Sequence, residues 1–233
     1  MRSTRAALAV LLAHRPRHTT PPPSWPQVWW DDHIESGDHW TFSFGEGDCV
    51  HAPSADAVHS GTYGLKLKTR VTGAANDDQV VVHQHFLMPT QDYLTLSLWY
   101  RLPSKTPSSA LTVQLTIAST GHLYAANLLH ATQLNKWQYF NSTGAYSDVP
   151  AGGYTWPANT WVPLLLRLRV STQRYGICTL AGIHYDLSAQ SLYDIGPSGD
   201  TTAHTRLQTI ANASAPTTLH ADDLVLTHSP NPP

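Results

Sequence analysis

The chain has 233 residues, of which only 13% are charged, and its formal net charge is −2. From residue 24 onward, ten basic residues stand against sixteen acidic ones. A body with this balance lacks the basic surface that nucleic acids require, so we predict no nucleic-acid binding through the folded part. No stretch approaches the roughly 20 apolar residues of a membrane-spanning helix, so we predict no membrane span.

The first 23 residues differ in character from the rest of the chain. They carry four arginines, and the apolar run 6–13 imitates a signal peptide. The run is short, however, and no small-x-small cleavage site follows it. We therefore predict that residues 1–23 form a retained, extended basic arm with a Pro-rich linker. A single domain would then occupy residues 24–229, and residues 230–233 would form a Pro-rich tail.

Apolar and polar residues alternate with period two through most of the body. The run Leu-Thr-Val-Gln-Leu-Thr-Ile at residues 111–117 shows the alternation most clearly. The runs at 63–69, 94–100, 164–170 and 224–228 repeat it, with Arg167 and Arg169 assigned to the wet face. Turn sequences separate these runs at the spacing of a β-sandwich, and no amphipathic helix follows residue 24. The pattern predicts an all-β antiparallel sandwich.

The order of several short segments resembles the concanavalin A-like and carbohydrate-binding-module jelly rolls. The segments are Glu-Ser-Gly-Asp-His-Trp at 35–40, Val-His-Ser-Gly-Thr-Tyr-Gly-Leu-Lys-Leu at 58–67, Asn-Thr-Trp-Val-Pro-Leu-Leu-Leu-Arg at 159–167, Gly-Ile-His-Tyr-Asp-Leu at 182–187 and His-Ala-Asp-Asp-Leu-Val-Leu-Thr at 220–227. The resemblance covers about residues 31–227 and implies a jelly-roll β-sandwich that recognises carbohydrate.

The same resemblance implies a structural calcium ion. In modules of this type, an acid near the first strand and an aspartate of the last strand often hold the ion, which matches Glu35 and Asp222 or Asp223 here. Calcium takes six to eight oxygen ligands, so backbone groups near residues 60–62 would contribute. The alternative is that Glu35 is a surface-turn acid and that the aspartate pair caps the entry to the last strand.

Aromatic residues give the main indication of a ligand surface. Flat exposed rings stack on sugar rings, although the same residues also suit a protein interface or simple packing. We expect Trp40, Trp99 and Trp161 to lie in the core, because regular apolar patterns surround them. The expected ligand-binding residues are Trp137, Tyr139, Tyr146, Tyr154 and Trp156.

Catalytic and metal-binding patterns are weaker. His83 and His85 share a strand face, as a metal pair would, but the glutamate that cupin jelly rolls add is absent. The Glu-x-Asp-x-x-Glu strand of glucanases is also absent. The segment 137–146 is similar to the tyrosine segment of polysaccharide lyases, with His83, His85 and Arg70 upstream, but Asn141 replaces the expected lysine.

The only two cysteines, Cys49 and Cys178, leave two alternatives open: one disulfide across a long loop, or two buried thiols.

The leading hypothesis is therefore a non-catalytic domain, not an enzyme, that recognises glycan or another extracellular surface. It would act outside the cell or at a particle or cell surface. The first alternative is a structural subunit of a larger assembly, such as a virion capsid, a virion tail or a surface filament. That alternative rests on the basic arm and the Pro-rich ends, which would contact neighbouring subunits in a homo-oligomer. The second alternative is a polysaccharide lyase.

Overall fold

The computed structural model describes residues 27–32, 40–88, 91–104, 109–132, 136–153, 157–211 and 215–230. These residues form sixteen β-strands and one short 3-10 turn at Ala55–Ala57. The strands are β1 (Gln27–Asp32), β2 (Thr41–Gly45), β3 (Val50–Ser54), β4 (Gly64–Lys68), β5 (Gln79–Leu87), β6 (Tyr93–Arg101), β7 (Ser109–Ser119), β8 (His122–Ala131), β9 (Lys136–Phe140), β10 (Tyr146–Gly153), β11 (Val162–Arg169), β12 (Arg174–Leu180), β13 (Ile183–Asp186), β14 (Tyr193–Pro197), β15 (Thr202–Ala211) and β16 (Thr218–Ser229).

The strands form two antiparallel sheets. The first sheet has the order β13-β12-β11-β6-β16-β4-β3, with β1 beside β16. The second sheet has the order β10-β9-β8-β7-β15-β5-β2, with β14 beside β8. The central neighbours are far apart in sequence, since β15 lies between β5 and β7 and β16 lies between β4 and β6. The predicted all-β antiparallel sandwich is confirmed.

The core lies between the two sheets and follows the predicted alternation. The apolar members of the runs 94–98 and 111–117, together with Leu224 and Leu226, are almost completely buried. On the first sheet, Leu164, Leu166 and Leu168 of β11 face the same interior. Full burial of one such side chain contributes about 1.5–3 kcal/mol, so these rows supply much of the driving force for folding.

Two predictions about the first sheet were wrong. Arg167 was assigned to the wet face, but only 9% of it is exposed. Its aliphatic stem lies across Gly176 of the neighbouring strand, where a Cβ would come within 3.0 Å of the Arg167 Cγ. Trp99 and Trp161 are half-buried rather than in the core. Trp99 points outward because Leu98 and Tyr100, on either side of it, point inward.

The two cysteines are free thiols, so the disulfide alternative does not apply. Cys178 is fully buried in the core, and its burial raises the pKa of its thiol to about 12. Cys49 is half-buried at the edge of the core.

The predicted arm at residues 1–23 and the tail beyond Pro230 lie outside the described residues, so the domain boundaries and the assembly hypothesis stay predictions. Within the described residues, no helix has the length and apolar character needed to cross a membrane.

Gly64 allows a close approach between β4 and the 3-10 turn. A Cβ at this position would lie 1.8 Å from the backbone oxygen of Ala57. We therefore expect Gly64→Ala to lower the free energy of unfolding by about 3 kcal/mol, because backbone must move to admit the methyl group. Urea unfolding followed by tryptophan fluorescence measures the change.

Gly199→Ala is the matched control. No atom lies within 4 Å of a Cβ at Gly199, and the backbone there is not left-handed. We expect its free energy of unfolding to change by less than about 0.5 kcal/mol. Equal losses in the two variants would contradict the packing argument.

Candidate functional site: a polar row across the second sheet

Five polar residues form a row across the outer face of the second sheet. The cross-strand register pairs Asn127 with Gln114, Gln114 with Arg206, Arg206 with His83, and His83 with Thr41. We call these five residues the polar row. At a strand spacing of about 4.8 Å, the row is roughly 19 Å long. It runs across the strands, so an extended ligand would lie perpendicular to them.

Three histidines lie together at one end of this row. His83 and His85 follow each other on the outer face of β5, and His85 pairs with His204 of β15. The ring centroids of His83 and His85 are 4.7 Å apart, and those of His85 and His204 are 5.1 Å apart. We call these three residues the histidine cluster. Arg206 follows His204 on the same face, so the cluster adjoins a guanidinium group.

Two polar atoms of the row are buried without a hydrogen-bond partner. They are the Nε of Arg206 and the Oδ1 of Asn127. The other groups of these side chains are engaged: an Arg206 terminal nitrogen donates to the Gln208 Oε1 over 3.1 Å, and the Asn127 Nδ2 donates to the Tyr146 hydroxyl over 3.1 Å. A buried polar atom without a partner costs about 1–3 kcal/mol, so such atoms need an explanation.

Aromatic rings lie at the other end of the row. Tyr146 is 39% exposed, and its ring contacts Phe140 at a centroid distance of 5.1 Å. Tyr193 meets the same phenylalanine edge-on at 4.9 Å. Burial raises the pKa of Tyr146, and the positive charge of Arg206 only partly offsets this, so the Tyr146 hydroxyl is protonated at neutral pH.

The backbone under this end of the row is held by Tyr175 from the first sheet. The Tyr175 hydroxyl accepts a hydrogen bond from the Asn127 amide over 3.0 Å and donates one to the Phe140 carbonyl over 2.8 Å. The pairing of β8 with β9 stops at Leu128 and Tyr139, so Asn127 and Phe140 are the first residues beyond it. The hydroxyl therefore satisfies backbone groups that the ladder leaves open, and its burial raises its pKa.

Arg206 is the charged side chain of the polar row at neutral pH. Burial lowers the pKa of His204 to about 4, and His85, His83 and Arg206 lower it further through charge repulsion. Burial, together with His85 and Arg206, also lowers the pKa of His83 below its ordinary value. Both imidazoles are therefore neutral at pH 7. Burial lowers the pKa of Arg206 as well, but an arginine stays charged throughout this range.

No protein-family model matches the sequence, and a search of curated proteins finds no match. Solved structures do match. Cellulose induced protein, Cip1, gives a TM-score of 0.55 at 14% identity, over 87% of this chain and 97% of that chain. A β-glucanase-like protein from Mycobacterium abscessus gives 0.53 at 8% identity, over 86% and 100%. A carbohydrate esterase from Shiga toxin-encoding bacteriophage phi24B gives 0.50 at 12% identity, over 82% and 90%.

The fold is a concanavalin A-like jelly roll. This confirms the fold that the segment order implied. Identities this low establish the fold alone, and a jelly roll hosts many functions, so any function has to be argued from the site.

The jelly roll places the predicted ligand-binding aromatics in different environments. Tyr146 lies on the outer face beside the polar row. Trp137 and Tyr139 are 1% and 8% exposed and belong to the core, which corrects the expectation that they offer their rings to a ligand. Successive side chains of a strand point to opposite faces, so Trp137 and Tyr139 point inward while Gln138, between them, points outward. Tyr154 and Trp156 lie outside the described residues.

The two aspartates of the expected calcium site are engaged with hydrogen-bond donors. The Asp222 Oδ2 accepts from the amides of His59 and Ser60 over 2.7 and 3.0 Å. Asp223 contacts the Nδ1 of His59 at 2.6 Å and accepts from the Ser60 hydroxyl at 2.5 Å. Amide donors rather than carbonyl oxygens thus surround Asp222, which fits a calcium ion poorly. Glu35 lies outside the described residues, so calcium stays a prediction.

Several residues of the site were not singled out by sequence reasoning. Gln114 interrupts an otherwise apolar and threonine-rich strand, and His204 and Arg206 alternate with buried residues of β15. This polar alternation was the available signal, but it does not reveal which strands are neighbours. Arg70, which was considered with the histidines for the lyase alternative, forms an ion pair with Asp78 at 3.1 Å.

Removal of the Tyr175 hydroxyl tests its role in holding the site. We expect Tyr175→Phe to lower the free energy of unfolding by about 1–3 kcal/mol, because it leaves the buried Asn127 amide and Phe140 carbonyl without this partner. Denaturant unfolding measures the loss. Tyr185→Phe is the control, since Tyr185 is also buried but its hydroxyl bonds to no described residue. A loss of the same size in Tyr185→Phe would show that the hydrogen bonds are not the cause.

Proposed function

We propose that this protein is a non-catalytic glycan-binding domain and that the polar row is its binding surface. The observation that carries the proposal is the pair of buried atoms without partners, the Nε of Arg206 and the Oδ1 of Asn127. One is a donor and the other an acceptor. A sugar presents hydroxyl groups that both donate and accept, so a bound glycan would satisfy the two atoms once the Arg206 and Asn127 side chains turn towards it.

The shape and chemistry of the surface support the same ligand class. The row is extended and polar, which suits a chain of sugar units better than a compact apolar ligand. The partly exposed ring of Tyr146 offers an apolar face beside hydrogen-bonding groups, as stacking on a sugar requires. Two of the similar solved structures carry names that concern carbohydrate: an esterase and a β-glucanase-like protein. Carbohydrate polymers occur outside cells and on cell surfaces, where we propose that the protein acts.

A second candidate function is a polysaccharide lyase, and one observation favours it. Tyr146, Arg206 and His83 occupy the same face, as a proton-abstracting tyrosine and its supporting groups would. In β-elimination, a base removes the proton beside a uronate carboxyl, a carbon–carbon double bond forms, and the glycosidic oxygen leaves with a proton. A tyrosine base needs a lowered pKa, whereas burial raises the pKa of Tyr146. This difference favours binding without cleavage.

Binding is tested first on a broad glycan panel and then by calorimetry with the best ligand. We expect Arg206→Gln to weaken binding at least about tenfold, because it removes a charged donor from the centre of the row. The matched control is Arg174→Gln, which changes an exposed arginine of the first sheet. The proposal fails if folded protein binds no glycan of the panel, or if the two variants bind equally well.

The lyase candidate is tested on uronate polymers by the ultraviolet absorbance of the unsaturated product. We expect no product from the native protein. A product that disappears in Tyr146→Phe, with the fold intact by circular dichroism, would replace the binding proposal with the lyase.

A further inference from the structure

We infer that the glycan recognised by the polar row carries carboxylate groups, and that the histidine cluster takes up a proton when this acidic glycan binds. This inference rests on the proposed function and adds a ligand class and a pH dependence to it. It arises from the position of three imidazoles beside one guanidinium on the face that carries the polar row.

The groups around the cluster are mostly positive or neutral. From β5 come His83 and His85, and from β15 come His204 and Arg206. On β7, the neutral Thr116 lies opposite His204 and the neutral Gln114 lies opposite Arg206. The neutral Thr41 of β2 lies opposite His83. Asp200, just before β15, is the carboxylate that acts on His204, and its effect is smaller than those of burial and the three neighbouring bases. Tyr146 is neutral.

This arrangement opposes protonation in the free protein. A proton on one imidazole would stand near Arg206 and within about 5 Å of another imidazole ring, in a partly buried place. A ligand carboxylate beside the guanidinium reverses the balance, because an opposite charge within about 4–6 Å favours the charged form of a histidine. Binding of the anion and binding of the proton therefore strengthen each other.

The sign of the pH dependence follows from this linkage. The free His204 has a pKa of about 4, below its ordinary value of 6.5, so it carries no proton near pH 6. In the complex, the ligand carboxylate raises that pKa. Affinity then rises as the pH falls between the pKa of the complex and that of the free protein, by up to about tenfold per pH unit for one proton taken up. Above the pKa of the complex, affinity no longer changes.

A metal ion is a less suitable occupant of the cluster. Three imidazoles suit zinc or copper when their nitrogens converge on one point. Within the part of the chain that the structure describes, no group of three or more histidine, cysteine, aspartate or glutamate side chains has that arrangement. An anion needs only nearby positive charge and donors, which the row provides through Arg206.

The test compares an oligogalacturonate with its carboxyl-reduced form, in which each carboxylate is replaced by a primary hydroxyl. Calorimetry of the full-length protein is run between about pH 5 and about pH 7.5, in two buffers that differ in ionisation enthalpy, so that proton uptake is measured directly. We expect tighter binding of the acidic form at lower pH with net proton uptake. A sulfated oligosaccharide of the same length is the further arm, and its tighter binding would overturn the choice of carboxylate.

Variants assign the proton to the cluster. We expect His204→Gln and His83→Gln each to reduce the proton uptake and to flatten the pH dependence of binding. The control is His184→Gln, an exposed histidine of the first sheet whose Nδ1 contacts the Thr179 hydroxyl at 2.9 Å. Thermal unfolding of each variant at the two ends of this pH range checks that the fold is intact.

The possible results separate the inference from the proposed function. If both oligosaccharides bind equally and no proton is taken up, the inference is overturned while glycan binding stands. The same holds if proton uptake persists in both cluster variants. If neither these probes nor any other glycan binds, the proposed function itself fails.

Discussion

The Tyr175 hydroxyl is the contact on which the arrangement of the site depends. It crosses the core from the first sheet and binds the backbone of β8 and β9 at the point where their ladder ends. Beyond that point β8 pairs with β14 instead, from Ala125 onward. On this side, the backbone of Asn127 thus lies between two strand partners, and its amide would lose its hydrogen-bond partner without the tyrosine. Because Asn127 begins the polar row, a bond inside the core determines the position of groups on the surface.

The buried, unpaired polar atoms of the polar row lower the stability of the fold, and this cost points to a function for them. A sheet face that served only to cover the core would pair its buried polar atoms or replace them with apolar ones. Here the Arg206 Nε and the Asn127 Oδ1 keep their positions without partners. Functional surfaces commonly sacrifice stability in this way, because polar groups kept for a ligand stay incompletely satisfied until it binds. The fold offsets the cost with the long apolar rows beneath the site.

The sequence predicts the sheets well and the site only in part, for a physical reason. Period-two alternation is local, so the buried face of each strand can be read from a few neighbouring residues, and the prediction that His83 and His85 share a face is of this kind. His204 joins them only because β15 pairs with β5, and this pairing depends on the packing of the whole domain. Composition also does not reveal which face an aromatic residue occupies, which is why Trp137 was wrongly placed on the ligand surface.

The histidine cluster links binding to acid stability. The folded protein holds His204 at a pKa of about 4, whereas an unfolded chain would restore the ordinary 6.5. Between these values the unfolded state binds more protons, so stability falls as the pH drops from 6.5 towards 4. His220, buried beside Arg101, shifts in the same direction for the same reasons. A ligand carboxylate that raises the pKa of His204 removes the part of this stability loss that His204 causes. The part that His220 causes remains. Acid conditions therefore weaken the free domain while they strengthen its complex, so the protective effect of an acidic glycan should be largest where the free protein is least stable.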